Sequence, residues 1–293
     1  MKGFGEFKPH HLPMDRSHAK GNGKTGRIFL LPGAEGRAKR IGERLEGLEV
    51  LDSARGHNVY LGSVTRNGVT VEVGAVSTGM GCPSLDIIVT ELIGLGARRF
   101  LRVGTAGSLQ PRVVKAGSLV VATGGVRDET ISDAYATPGY PAMAHYDMVK
   151  ALCGAAKKRG LADEVFVGIV HSKDALYCRE FGYGPLGDRS REYMRALKEL
   201  PVLASEMESA HLFVLSDAYS EGIVPLSESL GGSSVIKSGA LLAIIGDERP
   251  FAPKELVEKA EKEVIETSLD GCAELLRREH ALQGVEAPSP NAE

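Results

Sequence analysis

Short apolar stretches alternate along this chain with stretches in which apolar and charged residues recur at helical spacing. The first apolar stretch, RIFLLPG at residues 27–33, predicts a β-strand, and the Arg, Lys and Glu content of residues 35–45 predicts a surface helix behind it. Residues 58–77 contain two β-rich segments on either side of Asn67 and Gly68. Because Asn-Gly is a strong hairpin signal, we expect this region to form an antiparallel pair.

The same alternation continues to the end of the chain. A helix from about Pro83 to Leu95 is predicted by the proline at its start and by Gly96 after its end. The later predicted elements are a strand containing Arg102, the strand GSLVVATGG, a helix near 146–160, the strand VFVGIVHS, a helix near 190–199, a helix from about Glu206 to Ser220, the strand GALLAIIGD and a charged helix near 253–281.

This pattern predicts an α/β fold: a single domain with a central mixed β-sheet flanked by helices on both faces, because nearly all-apolar strands must be covered on both sides. We expect residues 1–26 to be a flexible leader, 27–282 the domain and 283–293 a disordered tail. Residues 130–145 and 225–239 are expected to be irregular, and the Ser and Gly content of the second suggests a mobile loop.

Composition narrows the classes of function. The 293 residues carry a formal net charge of -3, which excludes the strongly basic surface of a nucleic-acid-binding protein. We find no apolar run of membrane-span length and no apolar signal segment near the start, so we expect no membrane association and a cytoplasmic location. The four cysteines are far apart and lack metal-binding spacing, which predicts reduced thiols and no metal site.

One arginine stands in an otherwise apolar strand. In FLRVGTAGSLQP, residues 100–111, Arg102 precedes a segment that we interpret as a glycine turn at residues 104–107. A buried guanidinium must be paired, since it cannot lose its charge. Two partners stay open at this point: a carboxylate of the protein, or an anion that is also bound by the N–H groups of the turn.

Parallel strands bring their carboxyl ends to one edge of the sheet, where ligands of such folds bind. This rule predicts that Gly33, Gly79, Thr105, Asp174 and Asp247 lie near one another. Asp247 is therefore either a general acid or the N-cap of the next segment.

The turn LPGAEGR follows the first predicted strand, so Gly33 could approach an anion. Arg37, in the first helical turn, is then either an anion ligand or a solvated helix residue. GNGKTG, residues 21–26, matches a nucleotide-binding glycine pattern, but it precedes the first strand and we interpret it as a flexible linker. Glu206 and Glu208 start a predicted helix and should point to different sides, either as caps and surface charges or as carboxylates of a site.

Together these motifs resemble the nucleoside phosphorylase family that includes uridine phosphorylase and the hexameric bacterial purine nucleoside phosphorylases. The resemblance covers about residues 10–280. Its most specific motifs are STGMGCPSLDIIVTEL (77–92), LRVGTAGSLQP (101–111), GGVRDETISDAY (124–135) and EMESA (206–210). Asp86 departs from the family signature, which has a small residue at that position.

The resemblance implies reversible phosphorolysis of a ribonucleoside to free base and ribose 1-phosphate, with inorganic phosphate as co-substrate and without a cofactor or metal. It also implies a homo-oligomer built from dimers, expected to be a hexamer. Two alternatives remain open: a hydrolytic nucleosidase of the same fold and a non-catalytic nucleoside-binding protein. The retained arginines argue against the hydrolase, which has no use for three cations around water.

The resemblance also assigns roles to individual residues. Catalytic roles fall to Arg102, Glu208 and Asp247, and His11 and Arg55 are expected to act across a subunit boundary. The implied phosphate ligands are Gly33, Arg37, Arg55, Arg102 and Thr105; the ribose ligands are His11, Thr105, Met207 and Glu208; and the base ligands are Gly107, Glu180, Asp247 and Arg249.

The base itself stays open between uracil and a purine. Glu180 and Gly182 stand where uridine phosphorylases carry Gln and Arg. Asp247 stands where purine-specific members carry the aspartate that protonates the purine at N7, but Gly246 precedes it and Arg249 would have to replace a more distant arginine.

Overall fold

The computed structural model describes residues 7–221, 235–248 and 251–282. The expected tail at 283–293, residue Arg249 and residues 225–234 of the expected loop lie outside these ranges. The remaining loop residues are described, and residues 237–239 belong to a strand rather than to irregular chain.

The described strands join in one ten-stranded mixed sheet, which confirms the predicted fold class. The strands are β1 (Ile28–Leu31), β2 (Glu46–Leu51), β3 (Val59–Arg66), β4 (Val69–Val76), β5 (Arg99–Ser108), β6 (Leu119–Asp128), β7 (Ala142–Met143), β8 (Val165–Lys173), β9 (Val202–Glu206) and β10 (Lys237–Gly246). The pairing order is β10-β6-β8-β9-β5-β1-β4-β3-β2, and β10 also pairs with β5. Five of the strands, β5, β10, β6, β8 and β9, therefore close into a ring, which the sequence pattern does not predict.

Six helices cover the sheet in the described ranges: α1 (Glu35–Gly42), α2 (Cys82–Leu95), α3 (Tyr146–Lys158), α4 (Gly187–Glu199), α5 (Ser209–Tyr219) and α6 (Lys254–Leu282). The apolar residues of α2 and α5 belong to one core cluster, and those of α1, α3 and α6 belong to another. The two clusters lie on opposite faces of the sheet, as alternating strand residues require. No helix in the described part of the chain is long and apolar enough to span a membrane.

Local sequence signals explain the elements that were predicted well. Strands β3 and β4 pair antiparallel in unbroken register, and Asn67 and Gly68 both adopt positive φ, at 50° and 74°. Both central residues of a type I′ turn need positive φ, so the hairpin follows from this dipeptide. Helix α2 has Pro83 in its first turn and ends at Gly96 in the left-handed conformation, as expected.

Three predictions of local structure are wrong. Strand β5 does not stop at a glycine turn: it continues to Ser108, because residues 99–107 pair with β10. Helix α5 begins at Ser209, and Glu206 instead ends strand β9, a strand that the sequence analysis missed. The exposed edge strand β2 was also missed, since it has no buried face to create an alternating pattern.

Residues 7–26 of the expected flexible leader make specific contacts. Leu12 is buried, and Glu91 accepts hydrogen bonds from the backbone N–H groups of residues 10–12. The side chain of Asn22 donates to the carbonyl of Glu72 at 2.8 Å, and the hydroxyl of Thr25 donates to Glu279 at 2.8 Å. The GNGKTG segment is therefore an ordered turn rather than the flexible linker that we expected.

Candidate active site

A cavity of about 620 Å³ opens at the carboxyl ends of β1, β5 and β10. It gathers most of the residues that the sequence analysis assigned to a site: Gly33, Arg37, Arg102, Thr105, Gly107, Glu180, Met207, Glu208 and Asp247. Gly79 also lines it, but Asp174 does not. The carboxylate of Asp174 instead accepts hydrogen bonds from the backbone and hydroxyl of Thr130, which holds it against the segment after β6.

The cavity exists because strand β5 changes neighbours along one of its edges. On that edge β5 pairs with β1 only as far as Arg102, and with β9 only from Gly107 onward. Its other edge pairs with β10 across the whole interval. Residues 103–106 consequently border an opening in the sheet, and Thr105 and Ala106 line the cavity there.

Arg102 has two carboxylate partners within the protein. Its Nε donates to Glu206 Oε2 at 2.8 Å, and its Nη2 donates to Glu208 Oε2. The salt bridge that we considered for Arg102 is therefore present. The expectation that Glu206 and Glu208 point to different sides is wrong, because the chain turns between β9 and α5 and aims both carboxylates at one guanidinium. They are also buried, not surface charges.

The two carboxylates are held in different states. Burial would raise the pKa of Glu206, but Arg102, the hydroxyl of Ser172 and the backbone N–H groups of Glu208 and Ser209 together lower it. The pKa of Glu208 is raised, chiefly by burial and also by the nearby charge of Glu206, although Arg102 opposes this shift. The negative charge of Glu206 is thus stabilised by its surroundings, whereas Glu208 takes up a proton more readily than an ordinary glutamate.

Arg37 lies in the same cavity and is also buried, which excludes a solvated helix residue. Its Nη2 donates to Glu261 Oε1 at 2.5 Å. Burial lowers the pKa of Arg37, Glu261 opposes that shift, and the charge of Arg102 lowers the pKa further.

Each of these arginines keeps one buried donor without a partner among the described residues. Arg37 Nε and Arg102 Nη1 donate no hydrogen bond there. An unsatisfied buried donor is costly, and it is more costly on a charged group. Two arginines that line one cavity are suited to an anion with several oxygens, to which arginine binds in bidentate fashion.

Two glycines let the backbone reach this end of the cavity. A Cβ on Gly33 would lie 3.3 Å from the carbonyl oxygen of Gly79, and Gly79 itself has a φ of +73°. A third glycine leaves room for two side chains, since a Cβ on Gly104 would lie 2.6 Å from Leu242 Cδ2 and 3.2 Å from Arg102 Nε. The cavity residues Glu208 and Met207 follow β9 directly, and the carbonyl of Met207 accepts from the thiol of Cys82.

The opposite end of the cavity is formed by residues that we assigned to the base. Glu180 ends a π-helical turn, Leu176–Glu180, and its Oε2 lies 2.9 Å from the ammonium group of Lys173. Asp247 follows β10 and is half-buried, with Oδ2 accepting from the backbone N–H of Ala116 at 3.2 Å. That bond goes to the loop before β6, and the N–H group that an N-cap at Asp247 would bind, at residue 249, lies outside the described residues.

His11 and Arg55 do not reach this cavity. They line a separate surface depression with His57, Pro83, Ser84, Ile87 and Ile88. His11 Nδ1 lies 2.7 Å from Glu91 Oε1, and Arg55 is exposed. The structure thus separates the two residues that were expected to act across a subunit boundary from those expected to act within one chain.

Two charged residues of this region, Glu261 and Lys173, were not predicted as site residues, and Glu206 was considered but received no role from the resemblance. Glu206, Glu261 and Lys173 contact the side chains of Arg102, Arg37 and Glu180, respectively. For Lys173 a signal existed, because a lysine at the end of an apolar strand needs a buried partner. Asp86, the departure from the family signature, pairs with the buried His211 at 3.0 Å. Within the described ranges, no group of His, Cys, Asp or Glu side chains could hold a metal ion.

Comparison with known proteins agrees with this geometry. A family model described as the phosphorylase superfamily matches residues 27–226. The uridine phosphorylase of Haemophilus influenzae is 36% identical over 212 residues, which are 71% of this chain and 80% of that protein. The guanosine phosphorylase of Halorubrum lacusprofundi is 33% identical over 238 residues, covering 81% of this chain and 91% of that protein. The uridine phosphorylase of Treponema pallidum is 34% identical over 224 residues, covering 76% and 78%.

Proposed function

The chain belongs to the phosphorylase superfamily, and we propose that it is a nucleoside phosphorylase, which converts a ribonucleoside and inorganic phosphate reversibly to free base and ribose 1-phosphate. The observation that carries this proposal is the pair of buried guanidinium groups, Arg37 and Arg102, on one cavity, each with an unsatisfied donor. Both guanidinium groups already pair with carboxylates of the protein, but a phosphate dianion has several oxygens that can accept from their remaining donors, which a nucleoside alone does not offer.

The reaction needs a nucleophile that is fixed below the sugar. Phosphate attacks C1′ while the bond from C1′ to the base lengthens, so positive charge develops on the sugar and negative charge on the base. In the proposed arrangement Arg37 and Arg102 hold the phosphate, and Gly33 and Thr105 contribute contacts beside it. Fixing the attacking oxygen in this way supplies much of the rate enhancement.

The carboxylate of Glu208 has a second role in the proposal. It lies against Arg102 and lines the cavity, so it can bind the ribose hydroxyls beside the phosphate, with Met207 packing on the sugar. Its negative charge favours the cationic sugar of the transition state. Asp247, at the end of β10, is proposed to donate a proton to a departing purine.

The proposed site is completed by a second copy of the chain. His11 and Arg55 lie together in a depression apart from the cavity, which suits residues that serve a neighbouring subunit. We propose a dimer as the smallest active unit and a hexamer as the full assembly. The reaction requires no metal or organic cofactor, since phosphate is itself the nucleophile. All four cysteines are free thiols, which suits a cytoplasmic location.

The test is release of free base from uridine, thymidine, inosine, adenosine and guanosine, each with and without inorganic phosphate. Release that depends on phosphate, with ribose 1-phosphate as the second product, is the expected result. Release without phosphate would instead indicate a nucleosidase, and nucleoside binding without any product would indicate a binding protein.

Two arginines on helix α1 provide a matched comparison for the phosphate site. Arg37 and Arg40 both pair with Glu261, but only Arg37 lines the cavity, and the side chain of Arg40 is 40% exposed. Arg37→Met should raise the KM for phosphate by about 100-fold, as loss of a charge-assisted bidentate contact would. Arg40→Met should leave this KM within about twofold of the wild-type value.

A further inference from the structure

A lysine is buried at the base end of the cavity. Lys173 is 2% exposed, and its ammonium group lies 2.9 Å from Glu180 Oε2 and 2.7 Å from the hydroxyl of Ser205. Its third contact, to the carbonyl of Glu206, is longer at 3.4 Å. A buried ammonium group keeps its charge only when it is paired in this way, so Lys173 and Glu180 form one unit.

The two oxygens of Glu180 are in different situations. Oε2 accepts from both Lys173 and Ser205, at 2.9 and 2.7 Å. No described residue donates to Oε1, and Gly107 leaves the space beside it open, since even a Cβ there would stay 4.0 Å away. Both Lys173 and Glu180 line the cavity. The cavity wall therefore presents an acceptor, Oε1, beside an ammonium group with one weakly used N–H.

We propose that Lys173 and Glu180 together recognise the lactam edge of the base, meaning a ring N–H next to a carbonyl. This inference rests on the proposed function. Glu180 Oε1 accepts from the ring N–H, and Lys173 donates to the adjacent carbonyl oxygen by redirecting its longest hydrogen bond. Uracil, hypoxanthine and guanine carry this edge. In adenine and cytosine an amino group faces the ammonium and a ring acceptor faces the carboxylate, so both contacts become repulsive.

The experiment compares matched nucleosides that differ only at this edge. Base release with phosphate is measured as kcat/KM for inosine against adenosine and for uridine against cytidine, using the full-length protein. In whichever of the two pairs is cleaved faster, kcat/KM for the nucleoside with the lactam edge, inosine or uridine, should be about 100-fold higher or more. The reason is that a buried polar site strongly rejects an analogue whose donors and acceptors do not match. Equal rates for the two members would overturn the proposal.

Two variants test the roles of Glu180 and Lys173 in base recognition. The ratio of kcat/KM values for the two members of a pair is compared, because general structural damage lowers both values and leaves their ratio unchanged. Glu180→Leu and Lys173→Met should each lower the lactam preference by about tenfold or more, since the first removes the acceptor and the second removes the donor. The double variant should retain little preference while leaving no buried charge unpaired. Lys150→Met, at an exposed lysine, is the control and should keep the wild-type ratio. An unchanged ratio in both single variants would refute the assignment, even if their total activity fell.

Binding of the free bases tests base recognition independently of the proposed reaction. Calorimetry with hypoxanthine, adenine, uracil and cytosine needs no turnover. Tighter binding of the lactam bases, weakened in Glu180→Leu, would support the proposal even if no nucleoside were cleaved and the phosphorylase assignment failed. Equal binding of adenine and hypoxanthine would contradict it even in an active phosphorylase.

Discussion

Replacing Glu206 by glutamine tests how Arg102 is held in the cavity wall. Glu206 Oε2 accepts from Arg102 Nε at 2.8 Å and from the backbone N–H of Glu208 at 3.0 Å. Its Oε1 accepts from the hydroxyl of Ser172 and from the backbone N–H of Ser209. A glutamine has only one acceptor oxygen, so it can serve one of these two groups of donors and must turn an amide N–H₂ toward the other.

The cost follows from the contacts that the amide cannot make. If its oxygen serves Ser172 and Ser209, the charge-assisted bond to Arg102 is lost, at about 1.5–3 kcal/mol, and a buried donor is left unsatisfied, at about 1–3 kcal/mol. We therefore expect Glu206→Gln to lower the free energy of unfolding by about 3–5 kcal/mol at neutral pH. Glu199→Gln, at an exposed glutamate, is the control and should change it by less than about 0.5 kcal/mol.

Urea denaturation at a series of pH values provides the assay. The pKa of Glu206 in the folded protein lies below its usual value of 4.5, so its stabilising effect is complete above that pH and is lost as the pH falls through the lower, folded value. The difference between the wild type and Glu206→Gln should therefore narrow under acid conditions. A difference below about 1 kcal/mol at pH 7, or one that does not depend on pH, would refute this account of Arg102.

Three further predictions concern turnover. Asp247→Asn should strongly lower kcat for a purine nucleoside and affect uridine much less; equal purine rates for variant and wild type would remove Asp247 from the acid role. Gly104→Ala should raise the KM for phosphate by about tenfold, because the added Cβ would lie 2.6 Å from Leu242 Cδ2 and 3.2 Å from Arg102 Nε and both side chains must shift; Gly36→Ala, with open space around it, should leave this KM unchanged. Co-expression of Arg55→Met with Arg37→Met should restore about a quarter of wild-type activity if Arg55 acts in the neighbouring subunit of a dimer. Mixed dimers of the two variants that remain inactive would contradict that role.

The elements with strong local signals could be predicted from the sequence. The Asn67-Gly68 turn and the boundaries of α2 depend on the conformational preferences of a few adjacent residues, and these preferences act wherever the segment lies in the fold. The carboxyl-edge rule also placed Gly33, Thr105 and Asp247 in one cavity correctly, because it depends only on strand direction. For Asp174 the rule failed, since a hydrogen bond to Thr130 holds that side chain elsewhere.

The sequence by itself determined where most strands and helices form. It also determined that an arginine stands in an apolar segment, where its guanidinium group must be paired. Only the tertiary structure decided what pairs with it. Arg102 meets Glu206 across 104 residues of chain, and Arg37 meets Glu261 across 224. Such contacts depend on the closure of five strands into a ring and on the chain reversal after β9. Local propensity extends over only a few residues, whereas a buried charge is stabilised by whatever the fold brings within hydrogen-bonding distance.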